Sequence, residues 1–246
     1  MPPTDTESTL AERLLQIARA LPPRRLTPIT HEGKSYFVKM PEQHASLRWR
    51  LQKGDPKAAF AREVELLRGF AAKGAAVARI VAAESDRIVL ADHGTPLQSL
   101  VYRGQADASL MQRTGAALAE LHARGLAHGR PSLRDICWND KDLTFLDLEA
   151  GARLHARTRD KARDLSLLLH SVYATLGTET ELAELALQGY RAAGSETVWR
   201  KTQSLSRNLW WLEYLAQPGV WLHRLRGKTR SEYAAIRATR ALIARA

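Results

Sequence analysis

The spacing of apolar residues changes once along this chain, and that change most constrains its fold. Between residues 26 and 92 the spacing is mainly that of β-strands, as in SYFVKM at 35–40, with one helix between Pro56 and Gly74. Beyond residue 96 the spacing is mainly helical, with one short hairpin at 136–148. A β-rich part followed by a helical part predicts an α+β chain in two lobes.

The order of these elements also predicts the domain organisation. Leu10, Leu14 and Ile17 follow helical spacing near the N-terminus, with Thr9 and Glu12 as an expected N-terminal capping box. We predict three segments: an N-terminal helix at 1–24, a small β-rich lobe at 25–94 and a mainly helical lobe at 95–246.

Composition narrows the class of protein. The chain has 246 residues, of which 45% are hydrophobic, which is enough for a substantial core. No run approaches the roughly 20 apolar residues of a membrane span, and the N-terminus lacks a basic-then-apolar signal pattern. A single cysteine, Cys137, excludes an internal disulfide. We therefore expect a cytoplasmic protein.

Positive charge is concentrated at the C-terminal end. The net charge is +11, and residues 191–246 contain eleven Lys or Arg against three Asp or Glu. Such a surplus attracts phosphate-bearing partners such as nucleic acid, anionic lipid or a phosphorylated sugar. Nucleic acid is the weaker interpretation, because the basic segment lacks the interleaved aromatic residues of a single-strand binder.

The last predicted helix, at about 230–245, is amphipathic. Four apolar residues share one face and four arginines share the other: Ala235, Ile236, Leu242 and Ile243, and Arg230, Arg237, Arg240 and Arg245. We favour a docked helix with a solvated basic face; the alternative is peripheral contact with anionic lipid headgroups at the inner membrane face. We expect the nearby Trp210, Trp211 and Trp221 to pack in the core rather than to contact a membrane or a sugar.

A set of chemically capable residues follows in a definite order. Lys39 lies in the strand YFVKM, and Glu63 lies in the next helix, with Glu65 as an alternative on another face. The segment LAHGRPSLRD, residues 126–135, which we call the HG loop, precedes the hairpin whose second strand leads into Asp147 in LDLE.

This order resembles the protein-kinase-like superfamily, and most closely the bacterial lipopolysaccharide core (Kdo/heptose) kinases, over about residues 26–175. The resemblance implies a bilobal protein-kinase-like fold with a small β-rich N-lobe and a mainly helical C-lobe. It also implies ATP and Mg²⁺ as cofactors and phosphate transfer to a hydroxyl of a glycolipid acceptor, such as a lipopolysaccharide core sugar.

The resemblance assigns a role to each matching residue. It implies that Lys39 anchors the nucleotide phosphates and that Glu63 holds this lysine. Asp147 matches the first Mg²⁺-binding aspartate, and Asp135 falls at the position of the second metal ligand. Asp164 matches the aspartate that supports the loop. Within the HG loop, we place His128, Arg130 and Asp135 in the catalytic segment, and we expect His128 to be a structural histidine whose hydrogen bonds are satisfied.

Two departures from the family pattern leave the activity open. Arg130 stands where the family has an aspartate that orients the acceptor hydroxyl, and an arginine cannot act as a base. Arg130 either binds a phosphate while Asp135 or another carboxylate handles the proton, or marks a catalytically impaired pseudokinase, or belongs to a loop in which Asp135 takes over the aspartate's work. Before Lys39, moreover, Gly33 is the only candidate for a glycine-rich phosphate loop.

Overall fold

The computed structural model describes residues 5–41, 55–148, 151–225 and 231–246, and the chain divides into two compact units. The first unit contains Met1–Ala72 and Val77–His93, and the second contains Lys73–Ala76 and Gly94–Ala246. The mixed α+β composition confirms the predicted fold class, with a small antiparallel sheet in the first unit and a mainly helical second unit.

The first unit is a four-stranded antiparallel sheet with two helices. Its elements are α1 (Asp5–Arg19), β1 (Leu26–His31), β2 (Lys34–Lys39), α2 (Pro56–Ala72), β3 (Ile80–Ala83) and β4 (Ile88–Ala91). The strand order is β1-β2-β4-β3. Strands β1 and β2 form a hairpin with Gly33 in its turn: Glu32 and Gly33 both have positive φ, as a two-residue turn of the I′ type requires.

Helix α1 packs on the sheet through Leu14 and Ala18, which are buried with Tyr36 and Val89. The predicted capping box is wrong, because the helix begins four residues earlier and Thr9 lies inside it.

The second unit consists of helices around a three-stranded sheet with the order β5-β6-β7. Its strands are β5 (Thr95–Pro96), β6 (Ile136–Trp138) and β7 (Leu143–Phe145). Its helices are α3 (Leu97–Tyr102), α4 (Ala108–Ala123), α5 (Thr158–Leu176), α6 (Leu182–Ala193), α7 (Glu196–Asn208), α8 (Leu212–Leu225) and α9 (Glu232–Arg245), and a 3₁₀ turn covers Leu133–Asp135. The predicted hairpin at 136–148 is confirmed, and Thr95–Pro96 adds a third short strand that pairs with β6.

Helices α4 and α6 cross with their backbones in contact. A Cβ atom added to Gly115 would lie 1.8 Å from the carbonyl oxygen of Ala186, and one added to Gly189 would lie 1.9 Å from that of Gln112. Real Cβ atoms never approach backbone atoms so closely, so this crossing requires glycine on both helices.

The prediction that the C-terminal helix is docked is confirmed, because Ala235, Leu242 and Ile243 on α9 are buried. The expected solvated position of Arg240 is wrong. Its guanidinium donates to the carbonyl oxygens of Ser206 and Trp210 and pairs with a glutamate of α8, so it fastens α9 to the α7–α8 turn. Arg230 lies outside the described residues.

The expected core packing of the three C-terminal tryptophans is also wrong. Trp210, Trp211 and Trp221 are 58%, 44% and 65% exposed. The inward side of α8 is formed by Leu212 and Glu213, which are half-buried, and Trp221 lies on the other side of the helix; Trp210 and Trp211 lie in the turn before α8. In the described part of the chain, no helix is both long and apolar enough to cross a bilayer.

Candidate active site

A buried ion pair lies in the first unit. Lys39 is the last residue of β2, and its Nζ lies 2.5 Å from Oε1 of Glu63 on α2. Both side chains are largely buried, at 11% and 15% exposure, whereas Glu65 is exposed. A lysine ammonium has three N–H donors, so one held by a carboxylate can still donate to another anion.

The HG loop in the second unit is held from below by α5. The buried carboxylate of Asp164 accepts hydrogen bonds from the backbone N–H groups of His128, at 2.6 Å, and Gly129, at 2.9 Å. Hydrogen bonds to a carboxylate are among the stronger ones in proteins, and both donors here are buried. This single side chain therefore fixes the backbone at the centre of the loop.

Gly129 cannot be replaced without moving the loop. Its φ is +95°, and an added Cβ would lie 2.3 Å from the carbonyl carbon of Gly151. Next to it, Ala127 and Arg153 exchange backbone hydrogen bonds, which tie the start of the loop to the segment before α5. The backbone geometry of the loop thus requires glycine at position 129.

His128 and Asp135 hold the residue that precedes Asp147. The Nε2 atom of His128 lies 2.8 Å from the carbonyl oxygen of Leu146, so Nε2 carries the proton, because a carbonyl only accepts. The N–H of Leu146 donates to the backbone carbonyl of Asp135 at 2.7 Å. Because His128 is buried and bonded to the backbone, its place favours a positioning role over the catalytic role expected from the sequence. The expectation that its hydrogen bonds are satisfied is wrong for Nδ1, which has no hydrogen-bond partner in the described part of the chain.

Asp147 itself has an uncommon backbone conformation. It is half-buried and has a φ of +55°, which non-glycine residues adopt rarely and at an energetic cost. Such strain persists only where the surroundings fix it, and the two hydrogen bonds to Leu146 provide this fixation. The structure thus holds Asp147 at a defined place relative to the HG loop.

Asp135 has two side-chain partners that the sequence analysis missed. Its Oδ2 accepts a hydrogen bond from the hydroxyl of Ser132 at 2.5 Å, and its Oδ1 lies 3.3 Å from Nε of Arg134. The serine could have been found from its S-x-x-D spacing, which suits a local side-chain contact. Arg130, in contrast, is exposed and makes no hydrogen bond or ion pair within the described ranges.

The carboxylates of Asp135 and Asp147 are candidate ligands for Mg²⁺. Within the described part of the chain, no three His, Cys, Asp or Glu side chains cluster as a metal site. Mg²⁺ usually keeps several waters and takes one or two carboxylates together with substrate phosphates. Asp135 and Asp147, held through the backbone of Leu146, therefore fit Mg²⁺ that arrives with a nucleotide.

A second buried network lies next to Asp164, and no local sequence pattern predicts it. The hydroxyl of Tyr190 lies 2.8 Å from Nδ1 of His122, whose Nε2 lies 3.5 Å from Oδ2 of Asp164. A neutral imidazole satisfies both contacts. Burial lowers the pKa of His122, against the opposing effect of Asp164, and burial with the nearby Asp164 raises the pKa of Tyr190.

We expect this network to make folding stability sensitive to acid. Because the pKa of His122 is lower in the folded chain than in the unfolded chain, its stabilising contribution is complete above pH ~6.5 and is lost as the pH falls below that value. The slope reaches about 1.4 kcal/mol per pH unit for one proton. Urea unfolding at several pH values should show a weaker pH dependence in His122→Gln and an unchanged one in the control His155→Gln, whose histidine is exposed. Equal slopes in both variants would contradict the assignment.

Together, a lysine–carboxylate pair on a small antiparallel sheet and an aspartate-supported HG loop next to Asp147 define a protein-kinase-like chain. The sequence profile of the lipopolysaccharide kinase (Kdo/WaaP) family matches residues 25–190. The chain belongs to this family, and its membership supports a kinase-like function.

Two further similarities were found. A Haemophilus influenzae protein, described only as an uncharacterized protein, is 28% identical over 199 residues, which are 79% of this chain and 81% of the relative. The solved structure of a divergent kinase that lacks the glycine-rich loop and regulates membrane ultrastructure of the Toxoplasma parasitophorous vacuole aligns with 78% of this chain and 80% of its own, with 17% identity and a TM-score of 0.44.

Proposed function

We propose that this protein is an ATP-dependent kinase that transfers the γ-phosphate to a hydroxyl of a lipopolysaccharide core sugar. The observation that carries the proposal is the buried Lys39–Glu63 ion pair. Burying two charges is costly, and a hydrophobic pair of similar volume would often be at least as stable. A need to present an ammonium group to an anion such as a nucleotide phosphate explains why the pair is present.

Residue roles follow from the same chemistry. Lys39 would donate to the ATP phosphates, and Asp147 with Asp135 would bind Mg²⁺. The metal, when bound, neutralises charge that develops on the phosphate oxygens. Asp164 and His128 would position the HG loop and Asp147, since both act through backbone groups.

Arg130 is the residue on which catalytic competence depends. It is exposed and has no partner in the described ranges, so its guanidinium is available for a phosphate of ATP or of the acceptor. It cannot accept the hydroxyl proton, so we assign that task to a carboxylate: either the Asp135 oxygen that does not hold Mg²⁺, or another carboxylate. The alternative is a pseudokinase that binds nucleotide without transfer, which the arginine at this position also suggests.

The first test is thermal unfolding with and without ATP and Mg²⁺. Ligand at about 100 times its dissociation constant adds roughly 2.7 kcal/mol of stability, which raises the Tm by about 5–11 °C for a chain of this size. We expect the shift to require Mg²⁺ and to disappear in Lys39→Ala and Asp147→Ala. No shift at millimolar ATP in the wild type would contradict a nucleotide site.

Substitutions of Arg130 distinguish an active kinase from a pseudokinase. If Arg130 binds phosphate, Arg130→Ala should reduce transfer from γ-labelled ATP to a cell-envelope fraction by about 10–100-fold, the value of one charge-assisted hydrogen bond. Arg130→Asp should be at least as slow, because it places a negative charge near the phosphates. The control Arg103→Asp changes another exposed arginine in the same unit. A faster Arg130→Asp variant would show that the arginine blocks the site of the missing base.

A further inference from the structure

Helix α8 carries an exposed apolar surface. At 100° per residue, five apolar residues fall within an arc of about 120°. These residues, which we call the α8 outer face, are Trp211, which directly precedes the helix, and Tyr214, Leu215, Pro218 and Trp221 within it. The four large side chains among them are 44%, 68%, 70% and 65% exposed, in that order.

The orientation of this face is fixed by polar contacts on the other side of the helix. Glu213 pairs with Arg240 of α9, which also donates to the carbonyl oxygen of Trp210. Leu212 lies on the same inward side and is half-buried. Turning α8 so that its aromatic residues face inward would break the contacts of Arg240 and separate its guanidinium from Glu213.

The composition of the α8 outer face matches a membrane interface. Trp and Tyr favour the headgroup region of a bilayer, because their rings are apolar and carry one polar group each. The sequence continues directly into HRLRGKTR at 223–230, which has four Arg or Lys in eight residues. Apolar rings beside a basic segment complement a bilayer with anionic headgroups in both respects.

We propose that the α8 outer face binds the surface of an anionic membrane, with its aromatic rings and Leu215 inserted at the boundary between headgroups and acyl chains. The membrane contact is thus placed on this face and not on α9, which the sequence had suggested, because the apolar side of α9 is already buried in the protein. The face lies beyond residues 25–190, which the family profile matches. The proposal is independent of nucleotide binding and catalysis.

Vesicle flotation of the full chain tests this directly. The probes are vesicles of phosphatidylcholine alone and of phosphatidylcholine with phosphatidylglycerol at about 3:1, chosen so that electrostatic attraction adds to apolar insertion. We expect the wild type to bind the anionic vesicles more strongly. Trp211→Ser/Leu215→Ser and Tyr214→Ser/Trp221→Ser should each lose about tenfold or more in partition coefficient, since each removes two apolar side chains from the interface.

The matched control is Leu26→Ser/Tyr102→Ser, which removes two exposed apolar side chains elsewhere and should bind as the wild type does. Quenching of wild-type tryptophan emission by brominated lipid gives a second measurement without any variant. Asp147→Ala should also bind vesicles normally, so a failure of the kinase proposal stays distinguishable from a failure of this one.

Three results would overturn the proposal. One is a wild type that binds neither vesicle type. Another is vesicle binding that salt abolishes while both serine variants still bind, which would assign the contact to the basic segment alone. The last is a wild-type dimer in light scattering that the serine variants convert to monomers, with no vesicle binding, which would make a second copy of the chain the occupant.

Discussion

Asp147→Ala is expected to lower phosphoryl transfer by at least about 10²–10³-fold, the effect of removing one preorganised electrostatic group from an active site. Without this carboxylate, Mg²⁺ would lose one of its two proposed protein ligands, and charge on the transferred phosphate would be neutralised less well. The measurement is the rate of transfer from γ-labelled ATP to the cell-envelope fraction at saturating Mg²⁺.

The positive φ of Asp147 requires a second variant, because alanine is disfavoured in that conformation. Asp147→Asn tolerates it better and removes only the charge, so it should fold as the wild type does and still transfer slowly. Asp142→Ala is the control, because this aspartate is exposed in the turn of the same hairpin. Wild-type transfer by both Asp147 variants would exclude Asp147 as a metal ligand.

Asp164→Ala is expected to cause the largest loss of stability. The substitution leaves two buried backbone N–H groups without an acceptor and deprives His122 of its partner. We expect a loss of about 3–5 kcal/mol, which corresponds to a fall in Tm of roughly 6–20 °C. Thermal and urea unfolding followed by circular dichroism would measure it.

Asp160→Ala provides the comparison on the same helix. Asp160 accepts one hydrogen bond from the N–H of Arg157 at the exposed start of α5, so its loss should cost about 0.5–2 kcal/mol. If Asp164→Ala unfolds like the wild type but loses transfer, then Asp164 touches the reacting groups and is not a support of the HG loop.

Local spacing was enough to predict the parts of the candidate site that lie on regular elements. Lys39 falls on a strand and Glu63 on a helix, and the helical angle between Glu63 and Glu65 left only one of the two able to face the lysine. The hairpin that leads to Asp147 was equally clear, because its turn residues separate two short apolar runs.

What the sequence could not predict depends on contacts between distant residues. Tyr190 is 68 residues from His122, and no local pattern relates them. The tryptophans of α8 were expected inside because large aromatic residues are usually buried, yet the direction in which a helix faces is decided by its partners. Arg240 on α9 sets that direction, because it donates to the carbonyl oxygen of Ser206 near the end of α7 and pairs with Glu213 on α8. These partners are far from Arg240 in the sequence.

The backbone contact between α4 and α6 has a consequence for the HG loop, which follows directly after α4. A contact made by Gly115 and Gly189 contains no side-chain rotamers, so ordering it costs no side-chain entropy and no rotamer change can loosen it. Main-chain geometry therefore contributes directly to the position of the α4 end of the loop. Residues further along, such as Arg130, can vary in chemistry without altering the frame that presents them.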